Sequence, residues 1–191
     1  QPAHALLLSD LIAIRASFAD DPLVSSRLNR DAYDLIRHRP QTENKRVGLL
    51  LNLADDARTL GDLDTALKLV GDARQIAGDN PAVDIKYRAM FESWQAVAAL
   101  RENDMPQAIA AREAALRIVT EATRDGHFQR VEPTKALAEL YARTGRMAEA
   151  RALYRRTEMT DAANPLNVGE AQALLTRHSL VNLEAFYDPS N

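Results

Sequence analysis

Gly61, Asn103 and Gly145 stand at intervals of 42 residues, and each falls between two segments with helical apolar periodicity. Glycine and asparagine are the residues that best tolerate the left-handed backbone that ends a helix. The same interval relates Ala54, Ala96 and Ala138, then Ala66, Ala108 and Ala150, then Ala73, Ala115 and Thr157, and finally Leu63, Met105 and Met147. Three units align without a gap. A small residue late in one helix faces a small residue early in the next across a tight turn, so the two helices can approach closely as an antiparallel hairpin. One hairpin cannot bury its own apolar face, so successive hairpins must stack.

The remainder of the chain agrees with an all-α reading. The 7 glycines and 8 prolines fall mostly at the edges of apolar patterns, and no alternating β-branched or aromatic run of useful length occurs. Helical periodicity predicts about nine helices, at roughly 3–18, 23–38, 42–59, 63–77, 82–101, 105–123, 130–143, 146–158 and 167–184. They group into one domain over residues 1–191: a diverged helix pair at 1–41, repeats at 42–81, 82–123 and 130–165, and a capping helix and tail at 166–191. In the first helix, Ala5–Leu8 meets Ser9 and Asp10 before the pattern resumes at Leu11–Ile14, which reads as an amphipathic helix with Asp10 toward water.

At this point a family resemblance becomes specific. Leu137-Ala138, Tyr141, Gly145-Arg146-Met147, Glu149-Ala150 and Leu153-Tyr154 resemble a tetratricopeptide repeat. Leu53-Ala54, Gly61-Asp62-Leu63, Ala66-Leu67 and Ala73, closed by Pro81, resemble a second. Ala96, Asn103-Asp104-Met105, Ala108 and Ala115 resemble a third, in which Arg112 replaces a bulky apolar residue. The resemblance spans about residues 45–165. Each unit departs from the family's 34-residue period by about eight residues, an expansion similar to repeats of bacterial regulatory and sensory proteins. HEAT-type helix pairs share the longer period, but the Gly-x-Met/Leu-x-x-Ala turn favours the tetratricopeptide reading. The resemblance implies a right-handed α-solenoid.

Composition removes several functions. The formal net charge is −3 and the basic residues are scattered among acidic ones, so a nucleic-acid partner is not expected. No cysteine is present, which removes disulfides, thiolate metal sites and cysteine nucleophiles, and leaves the compartment open between bacterial cytoplasm and periplasm. No apolar run approaches the roughly 20 residues of a membrane span, so direct membrane insertion is not expected. The chain does not begin with Met, as a processed or excised segment would not. His4, His38, His127 and His178 are far apart and lack second ligands at helical spacing; His127 reads as a loop residue after a turn. Asp20-Asp21 before Pro22 reads as a helix cap, and Asp55-Asp56 are sequence neighbours that do not face one another on a helix. No phosphate-cradling loop or nucleophile motif occurs. No catalytic residues, metal ligands or cofactors are therefore assigned, and no enzyme activity is expected.

The resemblance further implies that the first helices of the units line a concave groove. Residue by residue, the candidates are Asp55 and Arg58, then Ser93, Val97 and Arg101, then Lys135, Glu139 and Arg143. Only Lys135 matches the family's clamp for a peptide carboxylate, so no carboxylate clamp is expected. The mixed charge suits a peptide carrying both signs. Glu139 and Arg143 also have the spacing of an exposed ion pair. Trp94, the single tryptophan, is a candidate for either core packing or a binding anchor. The expected partner is a protein or peptide, a second copy of the chain included. The alternative is a sensory or regulatory input domain of a larger bacterial receptor or transcription regulator.

Overall fold

The structure, a computed structural model, describes residues 2–80, 83–124 and 127–163. Among these residues it contains α-helices and one short 3₁₀ turn, with no strand. The helices are α1 (Pro2–Ser17), α2 (Pro22–Ile36), α3 (Glu43–Thr59), α4 (Leu63–Ala77), α5 (Ile85–Arg101), α6 (Met105–Ala122), α7 (Val131–Arg143) and α8 (Met147–Ala163), with the 3₁₀ turn at Phe128–Arg130. The helix expected at 167–184 lies outside the described residues. The 42-residue register is kept to the residue: α3, α5 and α7 end at Thr59, Arg101 and Arg143, and α4, α6 and α8 begin at Leu63, Met105 and Met147.

The three intervening turns are the same object. Gly61, Asn103 and Gly145 have φ of +83°, +59° and +80°. In each turn the following residue's N–H donates back five positions: Asp62 to Ala57 O (2.9 Å), Asp104 to Ala99 O (2.8 Å), Arg146 to Tyr141 O (2.8 Å). The left-handed residue itself donates to Arg58, Leu100 or Ala142 O, at 3.0, 3.2 and 3.1 Å. Carbonyls left over at each helix end are thereby satisfied, the arrangement that a left-handed residue after a helix permits. Asp62 and Asp104 then cap the next helix, accepting from Thr65 N–H and Gln107 N–H, both at 3.0 Å. In the third turn Arg146 cannot accept; it binds Glu149 at 2.6 Å and lies 3.7 Å from the Tyr141 ring centre.

The small-residue columns are the helix contacts. Ala54, Ala96, Ala138, Ala66, Ala108, Ala150, Ala73 and Ala115 are all fully buried at 0% exposure, and Thr157 at 1%. Thr157 is tolerated among alanines because its hydroxyl donates to Leu153 O at 3.0 Å.

The chain forms two compact units, Gln1–Tyr87 and Arg88–Asn191. In the first, α1 packs on α2, α2 on α3, and α3 on α4. Ala32, Ile36 and Leu49 form a core flanked by Leu6, Ile12, Ala13 and Tyr33. The continuous buried run Val47–Leu51 in α3 shows a helix covered on all sides. Gly48 within it has no need of unusual φ; a Cβ there would come within 2.9 Å of Tyr87 Cζ, so the glycine makes room for that ring. In the second unit, Ala96 and Ala99 of α5 meet Ala108 and Ala111 of α6 and Leu140 of α7. Leu137, Ala138 and Tyr141 then meet Ala150 and Tyr154 of α8.

Three local details differ from expectation. α5 starts at Ile85 rather than 82 because the Asp84 carboxylate caps it, accepting from Lys86 N–H at 2.9 Å. α8 runs on to Ala163 rather than ending near 158. In α1 the half-buried side is Leu6, Ile12 and Ala13 with buried Ser9 and Ala16, while Leu7, Leu8, Leu11 and Ile14 are exposed. Ser9 fits inside because its hydroxyl donates to Ala32 O at 2.9 Å, and Asp10 is held at 2.6 Å by Lys45.

Candidate functional site

The groove candidates divide between the units. In the first, Asp55 and Arg58 lie on the last turns of α3 and pair with each other at 3.5 Å, with both side chains about half exposed. Such a pair contributes little to stability. Burial pushes the Asp55 carboxyl above its ordinary value, Arg58 pulls it down in part, and Asp56 adds to the rise. In the second unit, Ser93, Val97 and Arg101 follow at four-residue steps along α5, as Lys135, Glu139 and Arg143 do along α7. Ser93, Val97 and Lys135 are half-buried; Arg101, Glu139 and Arg143 are exposed. No ion pair joins Glu139 to Arg143. Glu139 instead acts on Tyr154, whose phenol is pushed up to about 12 by burial first and by that carboxylate second.

In the 42-residue register these positions behave unlike the alanine columns. Asp55, Val97 and Glu139 are equivalent, as are Thr59, Arg101 and Arg143, and Leu51, Ser93 and Lys135. Where the alanine columns are uniform and buried, these are chemically varied, and apart from Leu51 none of them is buried. Trp94 is 5% exposed and belongs to the packed interior rather than to an open surface.

The remaining sequence candidates are local. Asp21 caps α2 by accepting from Leu23 N–H at 2.8 Å, with Pro22 as the first helical residue. His127 Nδ1 accepts from Gln129 N–H at 3.3 Å. Among the described residues no three His, Asp or Glu side chains converge as a metal site, and no helix is long and apolar enough to cross a membrane.

Sequence reasoning missed three features. Arg130, buried at the 3₁₀ turn, donates to Thr123 Oγ1 and Thr120 O at 2.9 Å and also to Thr123 O, gathering the carbonyl end of α6. Tyr141 Oη donates to Glu113 Oε1 at 2.7 Å, and Arg146 lies between that carboxylate and Glu149. Burial first, then Glu113, raises the Tyr141 phenol above its ordinary value. The third is a cleft of about 290 Å³ in the first unit, walled by the end of α1, the start of α2 and the last turns of α3. Asp55 was legible as a surface candidate; Asn52 lies one turn before it on α3, but Asp20 and Asn29, which share the cleft, come from segments distant in sequence.

A separate exposed surface runs along the first helix pair. Leu7, Leu11, Ile14 and Phe18 follow one another at helical spacing, joined by Leu23 and Val24; Phe18 is 81% exposed and Leu23 63%.

No protein-family model matches this sequence, nor does any curated protein. Solved structures do match. BtubC (BKLC) from P. vanneervenii is similar with a TM-score of 0.74 at 17% identity, over 97% of this chain and 75% of that one. A Podosopora anserina protein described as a kinesin light chain with nearly identical TPR-like repeats is similar with a TM-score of 0.63 at 16% identity, over 97% of this chain and 87% of that one. At such identity the likeness is one of fold. Repeated turns, buried alanine columns and these structural neighbours together identify the chain's architecture as TPR-like helical repeats.

Proposed function

We propose that this chain is a non-catalytic protein-interaction module that binds a peptide or partner domain along the first helices of its helix pairs. The observation that carries the reading is the contrast between two sets of repeat columns. Positions that set the fold, such as Ala54, Ala96 and Ala138, are uniform and buried, while Asp55, Val97 and Glu139 on the same helices are varied and open to contact. A repeat protein that uses its surface for recognition varies that surface while keeping its packing. The charges are mixed, with Arg58, Arg101, Lys135 and Arg143 beside Asp55 and Glu139, which suits a partner carrying both signs.

The test is an affinity scan with a partner captured by proximity crosslinking. Arg58→Ala, Lys135→Ala and Arg143→Ala are titrated by calorimetry against it, and at least one is expected to weaken binding about tenfold or more. Unchanged affinity across all three refutes the groove.

The second reading is an input domain of a larger receptor or regulator. The exposed apolar stripe of α1 and α2 favours it, because in a stacked array such a face is covered by the next element. Hydrogen exchange on the product of the whole gene, compared with this chain, is expected to show added protection from Leu7 to Phe18. Equal exchange in both speaks against this reading.

A further inference from the structure

Leu7, Leu11, Ile14 and Phe18 recur at steps of four, three and four residues, and all four are 54–81% exposed. That alternation is the heptad spacing of a helix that packs along one narrow line against another helix. It is separate from the α1 face turned into its own unit, where Leu6, Ile12 and Ala13 meet the core and Ser9 and Ala16 are buried. α1 therefore carries two apolar faces, and among the described residues only one of them is covered.

The open face is large for a surface without a partner. Leu8, Leu23 and Val24 join the stripe at 47–63% exposure. At roughly 200 Å² for a fully exposed large apolar side chain, the seven residues present on the order of 700 Å². The largest apolar patch of a typical monomer is about 300–600 Å², whereas a stable interface takes about 800 Å² from each partner. Two such faces therefore come close to what a two-fold dimer needs. Arg15, at the edge of the stripe, also borders an apolar hollow of about 470 Å³ lined by Leu23, Val24 and Leu28, so the face is not a bare helix side.

The flanking charges select the occupant and its direction. Asp10 lies on one edge of the stripe and Arg15 on the other, five residues later. In two parallel copies of a heptad helix, a residue on the first edge faces the residue five positions on from its counterpart in the other copy. Each Asp10 then meets an Arg15, and the pair forms twice. Asp10 is held by Lys45 at 2.6 Å, but its side chain remains 48% exposed and has lone pairs for a second cation. In an antiparallel pair, Asp10 falls beside Ser17 and Arg15 beside Leu8, with no ion pair.

We propose that α1 is a homodimer interface, in which two copies of the chain pack their Leu7, Leu11, Ile14 and Phe18 stripes in parallel and pair Asp10 of each with Arg15 of the other. The inference goes beyond the peptide-binding reading and does not depend on it, because the groove candidates lie on α3, α5 and α7. A dimer presents the whole set of those candidates twice, which strengthens binding to a repeated or dimeric partner.

The test combines sedimentation velocity with disulfide trapping on the full chain, which has no cysteine of its own. The wild type is expected to pass from monomer to dimer as concentration rises through about 1–100 μM. Leu11→Lys is expected to raise that range by about tenfold or more, and Arg15→Glu by about fivefold. Both positions are exposed, so the unfolding midpoint of the dilute monomer is expected to stay unchanged. Under mild oxidation Leu7→Cys is expected to trap a linked dimer about tenfold faster than Glu102→Cys, at the exposed turn after α5. A parallel pair sets the two residues 7 opposite each other, whereas an antiparallel pair parts them by about 11 residues, or ~16 Å, and favours a mixture of Leu7→Cys with Phe18→Cys. A wild type that stays monomeric to about 1 mM assigns the stripe to another protein and overturns the proposal. It is equally overturned if Leu11→Lys or Arg15→Glu dimerises like the wild type, if Leu7→Cys traps no faster than Glu102→Cys, or if the mixture traps faster than Leu7→Cys alone.

Discussion

A Cβ placed on Gly61 or Gly145 meets no atom within 4 Å, so alanine at either site is opposed by backbone conformation alone. Gly61→Ala and Gly145→Ala are each expected to lower stability by about 1 kcal/mol in urea unfolding. Asn103 occupies the same conformation at φ +59°, and Asn103→Gly is expected to leave stability equal or slightly higher. Two carboxylates carry opposite pH signatures. Asp62 is held below its ordinary value of 3.8 by the Thr65 hydrogen bonds, so its contribution is complete above pH 3.8 and is lost as pH falls through the lower folded value. Asp55 is raised, chiefly by burial, so its ionised form opposes folding at neutral pH, and that penalty fades as pH falls through the raised value toward 3.8. Thermal melts against pH are therefore expected to show Asp62→Ala below wild type at pH 7 and Asp55→Asn at or above it. Both differences narrow in acid. The positive φ at residues 61, 103 and 145 was legible in the residue types; the sign of the Asp55 shift was not, because it comes from neighbours that only the packed α1–α3 arrangement supplies.

At the scale of helices, contact distance is set by side chains with almost no volume. Ala138 of α7 lies in a cluster with Leu137, Tyr141, Ala150 and Tyr154, at 0% exposure. Ala138→Leu forces α7 away from α8 and is expected to cost about 1–3 kcal/mol in chemical unfolding. Tyr141→Phe removes the donor to Glu113 that links α7 to α6, with an expected cost of about 1 kcal/mol by the same measurement. The alanine columns could be read from periodicity because packing demands the same volume at each repeat. Arg130 stands in the same register as Arg46 and Arg88, and Arg46 likewise donates to Arg37 O at the end of the preceding helix, at 2.9 Å, so that column was legible too. Tyr141–Glu113–Arg146 was not, because that combination occurs in one repeat only.

Over the whole molecule the net charge is only −3, so charge repulsion opposes association weakly and exposed apolar surface favours it. The stripe Leu7, Leu11, Ile14 and Phe18 is expected to drive concentration-dependent self-association, and Leu11→Lys with Phe18→Ser is expected to abolish it in sedimentation velocity. The sequence by itself determined the helical class, the 42-residue register, the turn residues and the buried small positions. Those follow from periodicity and backbone conformation, which act over a few residues and repeat. Only the tertiary structure decided which side of α1 faces inward, that Trp94 is interior, and that Asp20, Asn29 and Asp56 share a cleft. Each depends on which distant segments meet, and a one-dimensional pattern holds no record of the third dimension where aperiodic residues come together.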